Sequence, residues 1–65
     1  MEYKFRIGDK VKVRMDGKWL DEIYIVTFSY TTLQNIKRYK VEEYIHKNGR
    51  YQIYIGIEEK NIKEV

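Results

Sequence analysis

The residues best suited to chemistry in this chain are cations set at alternate positions. Lys10, Lys12 and Arg14 are interleaved with Val11, Val13 and Met15. If the apolar set is buried on one face of a strand, the three cations share the other. Arg38 and Lys40 repeat the pattern with Tyr44 in the same phase, and Lys47 and Arg50 flank an Asn48-Gly49 turn. Lysine and arginine neutralise phosphates and release their counterions. Aromatic rings beside them stack on unpaired bases at about 1–3 kcal/mol each. These eight residues are therefore the candidate nucleic-acid contacts. The same lysines also keep exposed strand edges from aggregating.

The aromatics offer a second chemistry. Seven tyrosines, two phenylalanines and one tryptophan in 65 residues exceed what one small core holds. Tyrosine and tryptophan are favoured anchors of protein interfaces. Trp19, Tyr24, Tyr30 and Tyr54 are the candidate protein-interface residues, and Tyr39 reads as core. A protein partner, another copy of the chain included, is thus the alternative to nucleic acid.

Other chemistries lack their parts. There is no cysteine, and His46 is the single histidine, so no ordinary zinc site can be assembled. Ser29 has no triad, no glycine-rich phosphate loop is present, and Asp9, Asp16 and Asp21 fall in or near separate turns. Asp9 reads as a stabiliser of its Gly8-Asp9 turn, and Glu58 and Glu59 as caps of a late turn. A non-enzymatic binding module without cofactor or metal is expected. The charge balance, 13 basic against 10 acidic for a net +3, permits an anionic partner without demanding one.

The elements that must position these residues are short. Gly8-Asp9, Asp16-Gly17 and Asn48-Gly49 punctuate the chain, and the last two are strong hairpin signals between apolar runs. Lys10–Met15 alternates with period two, and Phe5 and Ile7 extend its apolar phase. Ile23–Tyr30 is apolar on both faces and reads as a bent central strand. Ile36–Ile45 places Tyr39, Val41 and Ile45 in one row. Tyr51, Ile53, Ile55 and Ile57 form an inward row opposite Gln52, Tyr54 and Gly56, with Gly56 marking a bulge or a close backbone approach. The tail has room for one helical turn, then a short strand through Ile62 and Val65. Short strands at this spacing argue for a small barrel or sandwich. A rival reading starts at Thr31, with Gln34 three residues later as in a capping box, and runs a helix over about 32–47, giving a small α+β domain.

The run Phe5, Ile7, Gly8, Asp9, Val11, Val13, the Tyr39-x-Val41 strand and the closing IEEKNIKEV resemble bacterial SH3-like and KOW-type small barrels. That resemblance implies one all-β domain over 1–65. It would be a five-stranded SH3-like barrel with a short helical turn before the last strand. Trp19-Leu20-Asp21-Glu22 stands where a KOW motif has its second glycine, so no functional residue is carried over. Nine isoleucines, nine lysines and no alanine or proline suggest AT-rich coding, as in a bacterial, phage or mobile-element genome. No run is long and apolar enough to span a membrane, and no signal-peptide core opens the chain, so a cytoplasmic protein without membrane partners is expected.

Overall fold

The computed structural model describes residues 2–45 and 52–65. Lys47, Arg50, His46 and the Asn48-Gly49 turn lie outside them. The elements are β1 (Lys10–Met15), β2 (Lys18–Trp19), β3 (Tyr24–Thr31), β4 (Lys37–Glu43), β5 (Ile53–Glu58), a 3₁₀ turn (Glu59–Asn61) and β6 (Ile62–Glu64). The sheet runs β2-β1-β3-β4-β5, every pairing is antiparallel, and β6 returns to pair with β1. The result is an all-β half-barrel with one 3₁₀ turn before its last strand.

Alternation builds the core. Val11 and Val13 from β1, Tyr24 and Val26 from β3, Tyr39 and Val41 from β4, Ile57 and Ile62 are buried together with Phe5. Tyr3, Met15, Leu20 and Tyr54 pack against this cluster. Asp16 (φ 52) and Gly17 (φ 76) form the two-residue loop that turns β1 into β2. Both φ values are positive, as a type I′ hairpin requires. Gly8, at φ 98, turns the chain ahead of β1, and the Asp9 carboxylate accepts the Arg6 amide at 2.9 Å. The turn ends the alternation that Phe5 begins, so Ile7 is exposed rather than inward.

The segment at 32–36 is a hairpin loop between β3 and β4, so the helix over 32–47 does not form. Thr32 Oγ1 accepts the Ile36 amide at 3.1 Å, and Asn35 takes a left-handed conformation at φ 66. Thr32 and Ile36 also pair through the backbone at 2.9 Å. Threonine and asparagine thus close a turn locally instead of capping a helix. Strand β4 ends at Glu43, which leaves Ile45 exposed.

Two bulges, one in β3 between Val26 and Phe28 and one in β5, reset the phase of these strands. Tyr39 pairs with Ile57 and Val41 with Tyr54, so β5 has one residue more than β4 between these pairs. Gly56, at φ 82, supplies the bulge. Tyr54 therefore turns toward the core, while Ile53 and Ile55 face out. The continuous inward isoleucine row expected from the sequence is broken there. A Cβ on Gly56 would meet only the Tyr30 hydroxyl, at 3.4 Å, an ordinary contact. Gly56→Ala is expected to cost about 1–2 kcal/mol through its left-handed backbone alone. Urea denaturation measures this, and an unchanged midpoint would refute it.

A polar clasp holds the N-terminal arm to the 3₁₀ turn. The buried Tyr39 hydroxyl donates to the Glu59 carboxylate and accepts the Phe5 amide at 3.4 Å. The Lys4 amide donates to the same carboxylate at 3.0 Å. Glu58, expected to cap this turn, makes no side-chain cap bond and pairs with Arg38 and Lys60 instead. Burial, then the bond to Glu59, pushes the Tyr39 phenol up to about 12. Burial also pushes the Glu59 carboxyl up. The Tyr39 hydroxyl, the Lys4 amide and the charges of Lys37 and Lys4 outweigh that and hold it below its ordinary value.

Candidate cationic and aromatic face

Because Val11 and Val13 are buried, Lys10, Lys12 and Arg14 project from the outer side of β1. Strand β6 adds a fourth cation beside them. Its register places Ile62 opposite Val13, both inward, and Lys63 directly opposite Lys12, both outward. Like charges directly opposite on an antiparallel pair are destabilising. The fold nevertheless brings them together from distant parts of the chain.

The β1–β2 hairpin sets an aromatic ring among these charges. Trp19 pairs with Arg14 across the ladder. The Arg14 guanidinium carbon lies 5.3 Å from the centroid of the Trp19 ring, and Lys63 Nζ lies 4.3 Å from it. At the other end of β1, Lys10 Nζ sits 4.4 Å from the Tyr44 ring. The face thus has cations in its middle and a ring at each end.

Arg14 and Lys12 are positioned by uncharged acceptors. Arg14 Nε donates to Asn61 Oδ1 at 3.1 Å, and its Nη2 donates to the Lys60 carbonyl at 3.3 Å. Lys12 Nζ donates to the Asp21 carbonyl at 2.7 Å. All three acceptors are uncharged. Among the described residues, none of Lys10, Lys12, Arg14 and Lys63 forms an ion pair with a carboxylate.

The other candidates separate from this group. Arg38 is held by Glu58 at 3.4 Å and by the Gly56 carbonyl at 2.7 Å. Lys40 pairs with Glu42 at 3.5 Å. Their charges are partly answered, and the ring contact of Tyr44 is with Lys10 on β1 rather than with them. Tyr24 is a core residue with no ring surface to offer a partner. Burial, with Tyr54, Glu22 and Glu43 nearby, pushes its phenol far up. Tyr54 packs on the core with its ring 5.7 Å from that of Tyr24. Tyr30 lies 6.0 Å from Phe28, over the Gly56 bulge. Of the four candidate interface aromatics, Trp19 alone stands among the β1 cations.

Sequence reasoning missed Lys63. The alternation around Ile62 puts Lys63 on an outer face, but only the β6–β1 pairing puts it opposite Lys12. Phe28, whose side the alternation leaves open, and Ile55, expected inward, are both exposed on the outer side of the β3–β4–β5 sheet, next to Lys40. The described residues contain no group of three or more metal-ligating side chains and no helix able to cross a membrane. No family model, curated protein or solved structure matches this chain.

Proposed function

We propose that this protein is a small, non-enzymatic, cytoplasmic nucleic-acid-binding module of the SH3-like kind, acting through the outer face of β1, β2 and β6. The observation that carries the reading is the Lys12–Lys63 pair. Two like charges held opposite each other, with Lys10 and Arg14 alongside and no carboxylate among the described residues paired to any of them, weaken the fold. A polyanion relieves that repulsion, and phosphates supply charge at the spacing of a backbone.

Fluorescence anisotropy with labelled DNA and RNA across a salt series tests the proposal. Four phosphate contacts predict that log affinity falls with log salt at a slope of about −3 for a single strand. Absence of binding at low salt would overturn it. The protein-interaction reading, resting on exposed Phe28 and Ile55, would then take its place.

A further inference from the structure

We infer that the ligand of this face is an unpaired nucleic-acid strand, with its phosphates along Lys10, Lys12, Arg14 and Lys63 and a base stacked on Trp19. The inference rests on the reading above and narrows it.

Three features favour a single strand over a duplex. The first is Trp19 itself. Its ring lies beside Arg14 and Lys63, so a phosphate on either cation brings its own base within reach of the indole. Only an unpaired base can present its flat face there, because a duplex hides both faces in the stack. Lys63 is exposed and without an ion pair, so it is free to leave the ring for a phosphate when a base arrives.

The second is that the residues described by the structure show no groove reader. Reading a duplex takes a helix or a two-stranded ribbon that enters the major groove. The described residues contain no α-helix. The β1–β2 ribbon carries Asp16 at its tip, which opposes entry between phosphate rails. The β3–β4 ribbon ends in Thr32, Leu33, Gln34, Asn35 and Ile36, with no cation.

The third is the size of the row. Lys10 to Arg14 spans about 13 Å at the rise of a strand. That suits a few extended nucleotides on a convex sheet.

Trp19 is the single tryptophan, so it reports its own occupancy by fluorescence. The full chain is titrated at one salt concentration with an oligothymidylate of about eight nucleotides, a hairpin duplex of equal phosphate content, and inorganic polyphosphate. The single strand is expected to quench Trp19 and to bind about ten-fold or more tighter than the duplex. Trp19→Ala, checked for folding by circular dichroism, should lose about ten-fold or more for the single strand and little for polyphosphate. Trp19→Phe keeps a ring and should recover part of that loss. Equal or tighter duplex binding without quenching would overturn the single-strand inference and leave nucleic-acid binding standing. Binding to polyphosphate alone, or to none of the three, would overturn both.

Discussion

Lys12→Glu is expected to abolish most polyanion binding while leaving the protein as stable as before, or more so. The substitution turns the Lys12–Lys63 repulsion into an opposite-charge cross-strand pair, a change worth about 0.2–1 kcal/mol in favour of the fold. The bond to the Asp21 carbonyl is lost, but that group is exposed and water replaces it. Both cation contacts to Trp19 survive, because neither involves Lys12. The same reversal removes one phosphate contact and adds a repulsive charge in the middle of the row. Affinity at low salt should fall about ten-fold or more, and the salt slope should become shallower by about one. Denaturation and anisotropy on the same preparation separate the two effects. A loss of stability above about 1 kcal/mol, or unaltered binding, would show that Lys12 serves the fold rather than a ligand.

Glu59→Ala should remove about 1–3 kcal/mol, because it takes the acceptor from the buried Tyr39 hydroxyl; the Lys4 amide loses the same partner but is exposed to water. That is a large part of the roughly 3–5 kcal/mol a domain this small can hold. The pH dependence identifies the cause. The Glu59 carboxyl is held below its ordinary 4.5 in the folded protein. Its contribution is therefore complete above that value and lost as pH falls through the lower folded one. Tyr39 acts at the other end. Its phenol is raised from 10.0 to about 12, so its contribution is complete below pH 10 and lost as pH rises toward 12. Urea midpoints followed through acid for Glu59→Gln, and through alkali for Tyr39→Phe, should each be flatter than wild type in the matching window. Parallel curves would mean that the clasp adds nothing.

Short-range signals were legible in the residues. The alternation of Lys10–Met15 located β1 and its two faces, Asp16-Gly17 located the first hairpin, and the glycine at 56 located a bulge. What a bulge does to phase was not legible, because one extra residue exchanges inside for outside. Ile53 and Ile55 thus changed places with Tyr54. Tyr24 was ambiguous for another reason. The start of β3 is apolar on both sides, so periodicity alone does not choose an inner face. The cationic face was half visible. Lys10, Lys12 and Arg14 announce themselves by spacing, but Lys63 joins them only through a pairing between the two ends of the chain.

From its sequence separation, that pairing is expected to be the last to close as the chain folds. The β3–β4 and β4–β5 ladders join neighbours in sequence and close small loops, whereas β1–β6 spans nearly the whole chain and closes against the largest entropy. The two lysines meet only in that last step, and the same step covers Val13 with Ile62. A chain still being synthesised can form the β3–β4–β5 meander but not the β1–β6 ladder. In that order, Lys63 joins Lys10, Lys12 and Arg14 only when residues 62–64 pair with β1.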